Sequence, residues 1–340
     1  MSRHLLVFIG VLGLFALCLL STLSLGETVS TGDVIRSFGA RLSSSIQQPE
    51  QAVDDIVWLL RVPRGIMAIV VGGGLAVVGV AMQSLVRNPL AEPYILGLSS
   101  GASAGASLFF LGLLPSVVSR AATLPVAAFL GGLLSVSVVY LIAREGSRLS
   151  VARLLLAGVA VSALMGSVTS VVTFASPDPD KLRTVLFWLL GSLGGSRWEV
   201  LAVPVTASLV GSFGLLTISR QMDALLTGEE PARSLGVRVE SLKTVLIVVS
   251  ALVTGALVSA TGVIGFVGLI VPHVVRLLVG VAHRRVILFS FILGGAFLLW
   301  SDAIARLTFP SQELPVGVVT AIFGVPFFLF LLRRSEYRFG

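Results

Sequence analysis

The residues able to do chemistry are few, and their spacing limits what that chemistry can be. Glu229 and Glu230 stand side by side in ALLTGEEPARSLGV, residues 224–237, in an otherwise oily chain. Thr227 fits a helix N-cap with Glu230 three residues on, the spacing of a capping box. Both carboxylates favour the positive end of a helix dipole, and Gly236 suits the left-handed position just beyond a helix end. The stretch predicts a helix of about two turns, complete in itself. Pro231 then falls at the fourth helical position, where it removes the first intrahelical bond. Two readings stand: an ordinary capped loop helix, or a docking element for a partner on one side of a membrane.

Arg61 and Arg64 in RVPRGIM are three apart and share a helix face. They either snorkel to lipid phosphates or act as posts for a partner's carboxylates, which a planar guanidinium pairs bidentately. Asp302 and Arg306, four apart, make a helical ion pair or border a polar opening. Gly101-Ala-Ser-Ala-Gly105 has the G-x-S-x-G form of a hydrolase elbow, but that elbow needs a preceding strand and histidine and acid partners. The run is instead a Gly/Ser-rich helix, and the histidines are elsewhere: His4 at the terminus, His273 and His283 in or beside another apolar segment. His273, in VPHVVR, reads as a packed or hydrogen-bonding residue, since no second metal ligand is near it. The single cysteine, Cys18, gives neither a disulfide framework nor a thiolate metal site. No G-x-x-x-x-G-K-[ST] and no Gly-Lys dipeptide occurs, so ATP-driven work would need another chain to bind the nucleotide. No catalytic residue, bound metal or cofactor is expected.

The elements that position these residues follow from composition. Of 340 residues, 55% are hydrophobic and 12% charged, with a mean hydropathy of +1.00. Soluble domains carry about 25% charged residues, so the chain reads as an all-α membrane protein. A window of roughly 20 apolar residues gives about ten spans. They are 5–25, 63–86, 94–114, 122–143, 151–174, 199–219, 243–262, 264–281, 286–306 and 315–332. The first has the basic start of a signal peptide but no clear A-x-A site, and is read as a retained span. VSATGVIGFVGLIVPH is read as two helices joined by an irregular outer turn. RNPLAEP makes a tight inner turn, and residues 26–62 form an outer segment ending in a surface helix at VDDIVWLL. Arginine and lysine favour the segments that an N-in, C-in arrangement places inside. That topology accounts for the net charge of +7 without nucleic acid. Glycine recurs inside the apolar runs, where it lets helix backbones approach closely. Residues 1–340 are expected to form one membrane domain, with an inner loop at 220–242.

Six stretches in order carry a resemblance: RVPRGIMAIVVGGGLAVVGVAMQSLVRNPLAEPYILGLSSGAS, LLLAGVAVSAL, FWLLGSLGGSRW, LLTGEEPARSLGV, TGVIGFVGLIVPHVVRLLVGVAHRR and ELPVGVVTAIFGVPFFLFLLRR. Together they cover most of residues 61–334 and resemble the FecCD family, permease subunits of ABC importers for iron–siderophore complexes, haem and cobalamin. The resemblance implies a type II ABC importer permease fold and a homodimer in the inner, or cytoplasmic, membrane with the path between the two copies. It also implies two cytoplasmic ATPase subunits that hold ATP and Mg, an external substrate-binding protein, and no catalysis by this chain.

The resemblance assigns ATPase docking to Leu226, Gly228, Glu229, Glu230, Arg233, Leu235 and Gly236, with Pro231 departing from the pattern. It assigns binding-protein docking to Arg61, Arg64 and Arg306, and an inner gate to Asn88, Ser150 and Val151, where Val151 departs from a small polar pair. FWLLGSLGGSRW looks closer to haem and cobalamin members than to catecholate-siderophore ones. The alternative is an ion-coupled secondary transporter of a small solute. That would place ionisable groups mid-span, and the span centres here are nearly free of carboxylates.

Overall fold

An apolar segment in lipid has no water to bond its backbone, so it must close its hydrogen bonds within a helix. The structure, a computed structural model, describes residues 10, 13, 15–20, 22, 29–43, 49–113, 123–176, 178–309 and 313–334. Among them, seven helices are long and apolar enough to cross a membrane. These are α2 (Gln51–Val86), α4 (Leu124–Ala143), α5 (Val151–Phe174), α7 (Trp198–Thr217), α10 (Val239–Thr261), α12 (His283–Leu307) and α13 (Val316–Arg334). Shorter helices lie between them: α1 (Thr31–Leu42), α3 (Leu98–Phe110), α6 (Pro179–Leu189), α8 (Ser219–Leu226), α9 (Glu229–Ser234) and α11 (Val267–Val279). A small antiparallel hairpin, β1 (Arg144–Glu145) with β2 (Arg148–Leu149), joins α4 to α5 and pairs Arg144 with Leu149. The expected first span, 5–25, lies largely outside the described residues; within it, residues 15–20 are helical and Cys18 is buried.

The core forms around α2, whose residues from Met67 to Leu85 are almost all buried. Lipid tails are as apolar as leucine, so helix association in a membrane depends on close packing. Glycine provides it here. A Cβ on Gly72 would stand 2.2 Å from the Gly294 carbonyl oxygen of α12, and one on Gly79 would stand 2.0 Å from the Gly268 carbonyl oxygen of α11. On another side of α2, Ser208 of α7 donates to the Val70 carbonyl at 2.7 Å.

One expectation needs correction. VDDIVWLL is not a helix separate from the next span: residues 51–86 run as one helix through a π-helical turn at Ile56–Arg61. There the Val62 amide bonds the Val57 carbonyl, five residues back, just before Pro63. Proline has no amide for the usual bond, so a wider turn accommodates it without a break. The separate helix of this segment is α1, capped reciprocally by Ser30 and Asp33. The hydrogen bonds from the Ser30 hydroxyl and amide hold the Asp33 carboxyl below its ordinary range. Asp54 of α2 anchors α1 by accepting from Ser37 and, at 3.0 Å on each oxygen, from Arg41.

The irregular joint expected within VSATGVIGFVGLIVPH lies at 262–266, between α10 and α11. With 13 residues, α11 is only about 20 Å long, short of the roughly 30 Å hydrocarbon core. Phe266, at φ +67°, sets its ring against Gly324 inside α13, and its amide donates to Glu92. Tyr94 donates to the Ile264 carbonyl at 2.8 Å. The Glu92 and Tyr94 side chains, at and just after the NPLAEP turn, thus cover unpaired backbone of this connection.

The contact between α2 and α12 supplies a test. Gly294→Leu overpacks it and is expected to destabilise by about 1–3 kcal/mol, read as a fall in the thermal unfolding midpoint in detergent. Gly166→Ala in α5, which has open space at its Cβ position, should leave the midpoint within about 0.5 kcal/mol equivalents.

Candidate functional site

At one end of the bundle, α8 and α9 connect α7 to α10. Glu229 starts α9, and Gly228, at φ +118°, precedes it as a cap without a side chain. Thr227 does not cap α9: its hydroxyl donates to the Ala224 carbonyl at 2.8 Å and so closes α8. Pro231 is therefore the third residue of α9, not the fourth. An amide there would have no intrahelical acceptor, so the proline costs no bond. The first bond of α9 runs from the Ala232 amide to the Gly228 carbonyl at 3.1 Å. Its far end is as expected. Gly236 has φ +84°, its amide bonds the Arg233 carbonyl, and the Val237 amide bonds the Ala232 carbonyl, the paired bonds of a Schellman ending.

The two glutamates face opposite ways. Glu230 is 85% exposed and pairs with Arg233 at 2.7 Å. Glu229 turns inward, 2.7 Å from the ammonium of Lys243 on α10. Arg233 also reaches Glu240 of α10 at 3.2 Å. The outer face of this element thus carries Glu230, Leu226 and Leu235, the two leucines being exposed, while Glu229 and Arg233 fasten it to the bundle.

At the opposite end, Arg64 uses two edges of its guanidinium. Nε and NH2 meet the buried carboxylate of Asp302 at 2.8–3.0 Å; NH1 and NH2 meet Glu313 at 3.0 and 2.9 Å. Asp302 is 4% exposed and Glu313 is 50% exposed. Arg306 comes within 3.3 Å of Asp302 without the alignment of a hydrogen bond, and donates instead to the Thr22 carbonyl at 3.0 Å. Arg61 is buried in the π-helical turn nearby. The fold thus gathers these charged groups from α2, α12 and the segment before α13.

A family model described as the FecCD transport family matches residues 13–334. The chain belongs to the FecCD transport family. It is 44% identical over 302 residues to the cobalamin import system permease protein BtuC of Halobacterium salinarum, covering 89% of this chain and 79% of that one. It is 39% identical over 330 residues to the hemin transport system permease protein HmuU of Yersinia pestis, covering 96% of both. A solved metal-chelate type ABC transporter in an inward-facing conformation superposes with a TM-score of 0.83 at 29% identity, covering 97% and 99% of the two chains. This chain is therefore a multi-pass membrane permease of the ABC importer type.

The three candidate gate residues lie at or just beyond the ends of this permease's helices. Asn88 accepts from the Leu90 amide at 2.8 Å in a side-chain turn, and Ser150 caps α5 by accepting from the Arg153 amide. Val151 is the first residue of α5. His273 is buried with its ring edge-on to Phe327, the packed role expected of it. No cluster of three or more metal-ligating side chains occurs among the described residues.

Sequence reasoning passed over four groups that the structure makes central: Lys243, Glu240, Asp223 and Glu313. Lys243 carried a signal, being one of two lysines and lying at the start of an apolar span, where a charge calls for a partner. The others become visible only through contacts distant in sequence.

The outer cluster predicts unequal costs. Asp302→Ala leaves buried arginine charge uncompensated and should destabilise by about 3–5 kcal/mol. Glu313→Gln removes a half-exposed partner and should cost about 0–1 kcal/mol. Thermal unfolding of both variants in detergent separates them.

Proposed function

We propose that this permease works as one of two identical copies in the cytoplasmic membrane, with both termini inside, importing a metal chelate such as haem, cobalamin or an iron–siderophore complex. Two ATPase subunits dock on the cytoplasmic end and a binding protein delivers cargo to the other, while the chain itself catalyses nothing. Residues 1–340 act as one membrane domain, with the predicted first span completing about ten helices. The observation that carries this reading is the α8–α9 element. It is a braced helix pair presenting an acidic and apolar outer face, on a chain without a phosphate cradle.

The geometry divides the docking residues by role. Glu230, Leu226 and Leu235 form the surface that an ATPase meets. Gly228 and Gly236 permit the turns at the two ends of α9. Glu229 and Arg233 set its position. At the other end, Arg64 offers Asp302 a buried edge and Glu313 an outward one. A carboxylate on the binding protein would take the outward edge from Glu313, with Arg61 and Arg306 adding positive field. Cargo would move through the face formed by α6 and α13, where Leu189, Phe266, Val318, Ile322 and Val325 line an open recess of about 680 Å³. The recess has apolar walls, suited to a bulky chelate that must pass without sticking, and a second copy facing it would close it. Asn88, Ser150 and Val151 stand at the inner end of such a path.

Reconstitution with the partner ATPase and binding protein in proteoliposomes tests this reading. ATP-dependent uptake of haem, cobalamin or a ferric siderophore is expected. Uptake driven by a proton or sodium gradient without ATP would instead favour a secondary transporter. Within that assay, Glu230→Arg should weaken ATPase association while Arg61→Glu with Arg306→Glu should weaken binding-protein association. Glu313→Gln should strengthen binding-protein association, because it vacates the outward edge of Arg64. Affinity measured from low to high salt checks the outer pair: the arginine reversals should flatten the salt dependence.

A further inference from the structure

Leu149, the last residue of β2, is gripped at both backbone groups by α10. Its amide donates to Glu240 Oε2 at 2.8 Å, and its carbonyl accepts from Lys243 Nζ at 3.1 Å. The same two side chains hold α9, through Glu229 at 2.7 Å from Lys243 and Arg233 at 3.2 Å from Glu240 Oε1. Leu149 immediately precedes Ser150, the cap of α5. A single turn of α10 therefore joins an exposed six-residue helix to the first residues of a membrane span.

The chemistry of the cluster is that of a rigid link. Lys243 is 3% exposed, and its ammonium has three protons to place. The Leu149 carbonyl, Glu229 and, at 3.5 Å, Glu240 Oε1 receive them. Glu240 in turn uses one oxygen for the Leu149 amide and the other for Arg233. Well-packed apolar residues can hold two elements together at least as stably as a buried ion cluster. Apolar contacts, however, allow elements to slide. Charged hydrogen bonds in a low-dielectric setting weaken steeply with distance and angle, so they oblige the joined parts to move together. The grip falls on backbone, which fixes the hairpin itself and not merely a side chain. α8 makes a separate tie: Asp223 accepts from the backbone amide of His283 at 2.9 Å and lies 2.7 Å from its Nδ1, at the start of α12. The two short helices thus engage different spans.

We infer that Lys243 and Glu240 are positioning residues that transmit displacement of α9 to the β1–β2 hairpin and the inner end of α5. This rests on the proposed ATPase docking at α9. In a working cycle, a shift of α9 carries Glu229 and Arg233 with it. Lys243 and Glu240 follow, and Leu149 moves the beginning of α5, where Ser150 and Val151 lie. The step is conformational, with no bond made or broken.

The test uses the full complex of permease, ATPase and binding protein in proteoliposomes, with Lys243→Met, Lys243→Arg and Glu240→Gln. The readouts are ATPase co-purification, ATP hydrolysed per chelate imported, and ATP-dependent thiol labelling of Ala152→Cys at the exposed start of α5. Lys243→Met and Glu240→Gln should retain the ATPase and its basal hydrolysis, yet import about ten-fold less per ATP. They should also lose the ATP-dependent change in labelling, and Lys243→Arg should recover much of both. A wild-type import ratio and labelling change in Lys243→Met would overturn the inference. So would loss of ATPase co-purification in both neutralised variants, which would make the cluster an anchor for α9 and nothing more. If the unaltered permease itself fails to retain the ATPase, the proposed docking falls first and takes this link with it.

Discussion

Backbone-to-backbone approach around α2 is the constraint on which the rest of the fold depends. In lipid, apolar area gives helices little reason to prefer one another over tails, so contact quality must hold the bundle. Gly72 against Gly294 and Gly79 against Gly268 bring α12 and α11 to distances that a single methyl group would forbid. The same device joins α3 to α4, where a Cβ on Gly101 would stand 2.4 Å from the Gly131 carbonyl oxygen. Once α2 is enclosed, the long helices have fixed neighbours, and the polar residues at their ends are brought within reach of each other.

Two charged clusters then stand at the two ends and are organised differently. The outer cluster draws Arg64, Asp302 and Glu313 from distant segments and leaves one of its carboxylates half exposed. In the proposed function, a carboxylate of the binding protein takes the place of Glu313 without disturbing the buried pair. The inner cluster is closed: Lys243, Glu229, Glu240 and Arg233 satisfy one another and the backbone of Leu149. Under the proposed function, the first end exchanges partners and the second carries motion.

Between the ends, irregular backbone occurs only where protein covers it. The segments around Glu92 and Phe266 interrupt the helices, and Glu92 and Tyr94 of the first supply partners for the backbone of the second. This pairing allows α11 to be shorter than a membrane without stranding amide groups in lipid. It also places a flexible-looking motif, VIGF, under tight geometric control, with Phe266 held at a positive φ against Gly324.

Much of this was legible in the amino-acid sequence. Hydropathy marked the long helices, because a run of apolar residues in lipid has one stable backbone solution. The Gly236 ending of α9 and the i,i+4 approach of Arg306 to Asp302 also followed from local spacing. Local reasoning failed where a competing contact decided the outcome. Thr227 had the type and spacing of a cap, but its hydroxyl was taken by Ala224, so α9 started later and Pro231 fell harmlessly into its first turn. VDDIVWLL looked amphipathic because Asp54 faces α1, a neighbour that no periodicity reveals. The sequence by itself determined a multi-span helical protein and the segments that carry its charge. Only the tertiary structure decided which charges meet, because the partners of Lys243, Arg64 and Phe266 are chosen by helix packing across the bundle and not by their neighbours along the chain.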